Sequence, residues 1–357
     1  MGGGQLAGVR VLDFGIWRPV PSATALLADL GADVIKVEPP GGDPMRAFPE
    51  LFRELARHKR SVVLDLRTPG GRERALALAA DADAVLEGFR PGVAERLGIG
   101  YEAVRAVNPA VVYCSVSGYG HVGELADLPG HDVNYQAFAG ALAPEGEDPP
   151  VASPLPVADL AAGLVAAFAV CAALIGARAT GEGERIDIAM ADVIATWVGP
   201  PGVNRVADAP GASRGVGGYG TFRTADGRWV ALGVIAEDHF WRCVCDALGL
   251  PELRGATFAE RVARGAELNE AIARRIATLP AARVVGVLRE AGAPVAPVLT
   301  RDAMAALDHF RARGAIVEGP DGALTAGHPA RFMNRPARPP APPPALGEHQ
   351  QEGWMPR

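Results

Sequence analysis

Of the seven histidines in this chain of 357 residues, one stands among other reactive side chains. His131 lies in Gly130-His131-Asp132-Val133-Asn134-Tyr135, a dense polar run leading into the apolar stretch Ala137 to Leu142. An imidazole beside a carboxylate can exchange protons near neutral pH. The same run also reads as a capped helix start. Asp159 stands directly ahead of an uncharged run, Leu160 to Ala177. It reads as the N-cap of a helix whose dipole favours its ionised form, and equally as a catalytic base beside an apolar segment. Glu237, in Ile235-Ala236-Glu237-Asp238-His239-Phe240, carries the same two readings at the start of another helix. His58, His121, His309, His328 and His349 sit in polar or loop contexts and read as solvated surface. Cys243 and Cys245 are one residue apart, a spacing that fits neither a zinc knuckle nor a redox pair. No metal is expected.

These residues need elements to place them. Val9 to Phe14 reads as a strand, Pro19 to Leu30 as a helix and Val34 to Val37 as a second strand, the opening βαβ unit of a parallel sheet. Ser61 to Leu66, Ala84 to Leu86 and Ala110 to Ser115 continue the strands, with a helix near Arg72 to Ala80. Such alternation predicts an α/β fold, a large doubly wound Rossmann-like domain. We expect it to span 1–198, with 316–357 returning to it. A Gly- and Pro-rich linker at 199–214 leads to a smaller α+β domain at 215–315. That domain opens with a hairpin turning at Asp226-Gly227 and continues with helices at 238–248, 267–279 and 281–291. The proline-rich end from Arg335 should be extended.

The strand-helix-strand opening invites a dinucleotide reading, which the residues exclude. After the first strand comes Gly15-Ile16-Trp17-Arg18-Pro19-Val20, one glycine where the fingerprint needs three. Neither a P-loop nor a GxSxG or HExxH motif occurs. With 35 basic against 41 acidic side chains the net charge is −6, which argues against a nucleic-acid partner. The apolar run after Asp159 approaches membrane-spanning length, but it is rich in Ala and Gly, and a buried core helix is expected instead. Four cysteines in no disulfide pattern, and a start (Met1-Gly2-Gly3-Gly4-Gln5) unlike a signal peptide, predict a cytoplasmic protein.

Longer stretches carry a family resemblance. Leu6-Ala7-Gly8-Val9-Arg10-Val11-Leu12-Asp13, Leu27 to Glu38 (LADLGADVIKVE), Lys59-Arg60-Ser61-Val62-Val63-Leu64-Asp65-Leu66 and Phe89-Arg90-Pro91-Gly92 resemble the family III CoA transferases. So do Asn108-Pro109, Ala179-Thr180-Gly181-Glu182-Gly183 and Leu346-Gly347-Glu348-His349. Within that family the chain is most similar to the alpha-methylacyl-CoA racemases.

The resemblance implies an enzyme of acyl-CoA thioesters in fatty-acid metabolism, with no cofactor beyond the CoA moiety of the substrate. It also implies an interlaced homodimer, each active site lying between the large domain of one chain and the small domain of the other. The family's catalytic aspartate matches Asp159, an acylated nucleophile in transferases and one of two acid/base groups in racemases. The Gly-His-Asp-x-Asn-Tyr motif around His131 is racemase-like, and Glu237 matches the glutamate that partners this histidine there. The implied reaction is epimerisation at the α-carbon of a 2-methyl-branched or similar acyl-CoA through an enolate. His131 and Asp159 would work on opposite faces, with Glu237 of the partner chain orienting His131. Lys59, Arg60 and Arg90 match the CoA-contacting region, and Lys36 joins them as a phosphate ligand. The helix start from Asp132 to Tyr135 would contact the substrate and supply donors to the thioester oxygen. The alternatives are a CoA transferase with a covalent aspartyl intermediate at Asp159, and a non-catalytic CoA-binding protein. Tyr135 to Gly140 and Gly215 to Gly220 are transferase-like, and Trp17 and Trp197 are bulky enough to shape a pocket.

Overall fold

The computed structural model describes residues 4–142, 150–200 and 215–357. The chain divides into two compact units, Met1–Val198 with Leu307–Arg357, and Gly199–Ala306. Residues 307–315, assigned from the sequence to the small domain, thus belong to the first unit. Most of the expected linker, 201–214, lies outside the described residues.

Six parallel strands form the centre of the first unit. They are β1 (Arg10–Asp13), β2 (Asp33–Glu38), β3 (Lys59–Val63), β4 (Ala84–Glu87), β5 (Val112–Ser117) and β6 (Glu184–Ala189), in the order β3-β2-β1-β4-β5-β6. Alternate strand residues feed two cores, as the two-residue pleat requires. Val11, Val34, Leu86, Val112 and Cys114 face one side, and Leu12, Ile35, Val85 and Tyr113 the other. Helices cover both faces, so β1, β2, β4 and β5 are buried almost throughout, their charged residues included. The helices are α1 (Pro19–Asp29), α2 (Pro49–Ala56), α3 (Pro69–Ala80), α4 (Val93–Arg96), α5 (Tyr101–Val107), α6 (Asp132–Phe138), α7 (Val157–Thr180) and α8 (Met190–Val198).

β3 begins at Lys59 rather than Ser61 and stops before Leu64. Sequence polarity hides this start, because Lys59 and Arg60 are charged yet sit inside the sheet opposite Val34 and Ile35. The apolar run after Asp159 also differs from expectation. By length and composition α7 could cross a membrane. One face, including Ala158, Ala162, Ala166 and Val170, is buried in the first core. The other carries Leu160, Leu164, Phe168 and Ile175, which remain exposed. It is therefore a core helix on one side only. Its approach to α1 is close: a Cβ on Gly163 would stand 2.8 Å from the Pro19 carbonyl oxygen.

In the second unit β7 (Tyr219–Arg223), β8 (Trp229–Gly233) and β9 (Val295–Pro297) form an antiparallel sheet. Asp226 sits in the predicted hairpin turn, and its Oδ1 accepts from the Thr224 hydroxyl at 2.6 Å and the Ala281 amide at 3.1 Å. Helices α9 (Asp238–Leu248), α10 (Phe258–Ala263), α11 (Gly265–Ile276) and α12 (Ala281–Glu290) pack around Trp241, Val244 and Leu268.

Candidate active site

Strand order reverses between β1 and β4, and chains leaving their carboxyl ends part there, which opens a crevice. A cavity of about 380 Å³ occupies it. The β1–α1 connection contributes Ile16 and Trp17, the segment after β4 contributes Gly88 to Pro91, and β5 ends in it with Ser117. His131, Tyr135 and Asp159 complete the wall. Two residues far apart in sequence, His131 and Asp159, are thus brought to one cavity.

The reason is a shared carboxylate. Asp159 is in the first turn of α7, while Pro156 takes the cap position and offers no side-chain acceptor. The expected N-cap role passes to Asp132, whose Oδ1 accepts from the amides of Ala158 at 2.7 Å and Asp159 at 3.2 Å. Its Oδ2 accepts from Gln136 Nε2 at 2.5 Å. Asp132 therefore joins α6 to α7, and its oxygens are engaged there instead of on substrate. Burial pushes the Asp159 carboxyl up to about 6, and the Asp132 charge adds to the rise. Arg18 and His131 oppose it without reversing it.

His131 precedes α6 with extended backbone, and its amide donates to Asn134 Oδ1 at 3.0 Å. The Asn134 and Tyr135 amides donate in turn to the His131 carbonyl, at 2.8 and 3.3 Å. Those two amides close the helix start, so they are not the expected donors to a thioester oxygen. The Tyr135 hydroxyl donates to the Gly130 carbonyl at 2.5 Å, and its ring meets Tyr119 edge-on. Burial raises this phenol to about 12. Tyr135 lines the cavity with its ring and fixes the residue before His131, rather than binding substrate with its hydroxyl.

Three of the four expected phosphate ligands are elsewhere. Lys36 Nζ lies 2.7 Å from Asp43 Oδ2 and donates to the Gly15 carbonyl at 2.7 Å. Lys59 Nζ is 2.9 Å from Asp13 Oδ2 and donates to the Thr24 hydroxyl at 2.7 Å. Burial draws Lys59 down to about 8, while Asp13, with two ammonium groups beside it, stays below the ordinary carboxylate value despite burial. Thr24 bridges this pair, its hydroxyl accepting from Lys59 and donating to Asp13 Oδ2 at 2.6 Å. Arg60 spans both oxygens of Asp33 at 2.9 and 2.7 Å. All three are buried, so no phosphate reaches them. Arg90 alone is exposed on the cavity wall.

Glu237 belongs to the second unit, exposed at the start of α9, where its Oε2 accepts from the Ile235 amide at 3.1 Å. Backbone donors hold its carboxyl below the ordinary value. Trp197 is exposed on α8 away from the cavity, whereas Trp17 lines it. Gly88, Ser117 and Arg18 went unnoticed in the sequence. The strand-order reversal would have pointed to them, since it marks the residues that follow β1, β4 and β5. Among the described residues no group of three His, Cys, Asp or Glu side chains is placed to hold a metal ion.

A doubly wound α/β protein with a carboxylate and an imidazole in its switch-point crevice is the architecture of an enzyme site. Residues 6–350 match the model of CoA-transferase family III, and the chain belongs to that family. It is 33% identical to the succinate–glutarate CoA-transferase of Agrobacterium fabrum, over 97% of this chain and 94% of that protein. To the human alpha-methylacyl-CoA racemase it is 32% identical, over 97% of this chain and 92% of that one. A CAIB/BAIF family protein from Brucella suis superposes with a TM-score of 0.85 at 31% identity, covering 97% of each chain.

Proposed function

We propose that this chain epimerises the α-carbon of 2-methyl-branched or similar acyl-CoA thioesters by proton transfer through an enolate. The observation that carries this reading is the meeting of His131 and Asp159 at one cavity, with the carboxyl raised to about 6. A carboxyl so raised can hold or release a proton close to neutral pH, as an acid/base partner of an imidazole must. His131 removes the α-proton of one epimer and Asp159 delivers to the opposite face, and the roles exchange in the reverse direction. Relatives of this chain include the human racemase.

Arg90 is the cation available to a CoA phosphate at the cavity wall. A second cavity of about 430 Å³ shares Ile16 and Phe89 with the first and is lined mostly by apolar side chains, with Glu38, Asp65 and Arg67 also on it and Arg67 spanning both oxygens of Asp65. We assign the exposed apolar face of α7 to a second copy of this chain in a homodimer. There Glu237 of the partner subunit would orient His131.

A second reading has its own support. Relatives include a CoA-transferase, and a half-buried carboxylate at the cavity could instead attack an acyl carbonyl. Incubation with a 2-methylacyl-CoA in deuterium oxide separates the two. Deuterium entering the α-position, and no adduct on Asp159 trapped by hydroxylamine, is expected. An acyl group trapped on Asp159 without α-exchange would establish the transferase. Neither outcome, with CoA still bound, would leave only a binding protein.

A further inference from the structure

Beneath the β1–α1 connection lies a buried ionic lattice that the reaction does not use. Gly15 is held at both backbone polar atoms: its amide donates to Asp13 Oδ1 at 2.7 Å, and its carbonyl accepts from Lys36 Nζ at 2.7 Å. Each holder is itself held. Asp13 Oδ2 accepts from the Thr24 hydroxyl at 2.6 Å and from Lys59 at 2.9 Å, and Lys36 pairs with Asp43 at 2.7 Å. These charged side chains are all buried. Gly15 leaves no room to shift, since a Cβ there would stand 2.4 Å from that of Val20. Two residues on, Trp17 takes φ +62, the left-handed region that a bulky residue adopts only when its surroundings impose it. Its ring lines the catalytic cavity with 46% of the residue still exposed.

We infer that Lys36 and Asp13 are positioning residues that lock Gly15 and so hold the Trp17 ring against the cavity as the wall that limits the length of the bound acyl group. This rests on the acyl-CoA reading above. The acyl group must reach His131 and Asp159, and Trp17 is the bulkiest side chain lining the same cavity. The lattice gives two lysines that look like phosphate ligands a role where no phosphate can go. Lys36 acts from below, through a backbone carbonyl, on a residue that touches substrate.

The test uses the full chain and non-hydrolysable thioether analogues of short and long 2-methylacyl-CoA, with affinities measured calorimetrically. Trp17→Ala should raise the long-to-short affinity ratio about tenfold. Lys36→Met with Asp43→Asn, which leaves no buried charge unpaired, should move the ratio the same way. It should also shift Trp17 emission, read as the difference between each protein and its Trp17→Phe counterpart, and open Trp17 to acrylamide. Lys36→Arg keeps the charge beside Asp43 while displacing the donor, and gives the same emission readout should the double variant not fold. An unchanged ratio in Trp17→Ala overturns the limiting wall, and unchanged Trp17 emission in the lysine variants overturns the positioning role. A wild-type protein that binds neither analogue fails the acyl-CoA reading instead, a result distinct from both.

Discussion

Two carboxylates meet at the start of α7, and only one has backbone donors. Asp132 accepts from two amides of the helix, which hold it in place. Asp159, half-buried beside it, is pushed up to about 6 from 3.8. Its folded form therefore keeps a proton over a range where the unfolded chain has lost it. Stability must fall as pH rises through that range, and the penalty is complete above it. Asp159→Asn removes the penalty. In urea unfolding, the variant's advantage over wild type should be larger at pH 7.5 than at pH 4 by about 1–2 kcal/mol. An advantage independent of pH would contradict the burial described. The same substitution should lower α-proton exchange by about 10²–10⁴, the usual worth of a positioned acid/base group.

Two neighbouring strands end alike. Asp13 at the end of β1 accepts from the amide two residues on, and Glu87 at the end of β4 does the same with the Phe89 amide at 2.7 Å. The cavity walls that follow them, at Trp17 and at Arg90, are fixed by these turns. Glu87 has no cation beside it to match Lys59. Burial pushes it up to about 7, hydrogen bonds from Ser115 and the Phe89 amide pull it back, and Glu95 and Asp187 add to the rise. Wild type therefore loses stability as pH climbs from the ordinary glutamate range to about 7. Glu87→Gln keeps an acceptor for Phe89 and should match wild type at pH 5, yet exceed it by about 1–2 kcal/mol at pH 8 in the same measurement. A variant weaker at both pH values would show that the carboxylate, not its shape, holds the turn.

Five of the six strands of the large sheet were legible because each holds a short apolar run bounded by turn residues, whereas β6, with Glu184, Arg185 and Asp187 along it, was not expected. The helix over 238–248 was legible from its spacing, and His131 and Asp159 stood out by type and context. The buried lysines were not, since a charge reads as solvent-facing until its partner is known. Asp13 is 46 positions from Lys59, and only the sheet brings them together. Capping of α7 by Asp132 was hidden for the same reason, 26 residues before the amide it caps.

The chain's end binds the sheet along the β3 edge and across the amino ends of the strands. β3 is an edge strand, with polar groups open to pairing. The His349 amide donates to the Ser61 carbonyl at 3.0 Å, and Gln350 bonds both the amide and the carbonyl of Val63 at 2.8 and 2.9 Å. From there the tail follows the amino ends of the strands. Arg60 donates to Gly353 at 2.6 Å, the Met355 amide to Asp33 at 2.9 Å, and Arg357 reaches Asp83 at 3.1 Å. Trp354 packs into the second core and donates to the Leu78 carbonyl at 2.9 Å. The proline-rich stretch before it needs no core of its own, because it delivers this strap. The catalytic cavity lies at the carboxyl ends of the same strands. Removal of residues 346–357 should therefore lower stability by about 3–5 kcal/mol, from the lost hydrogen bonds and the buried indole. It should promote association through the bared β3 edge, while α-proton exchange per folded molecule stays near wild type. Thermal unfolding, light scattering and the exchange assay read these separately. Unchanged thermal stability would mean that the tail only lies on the sheet without holding it.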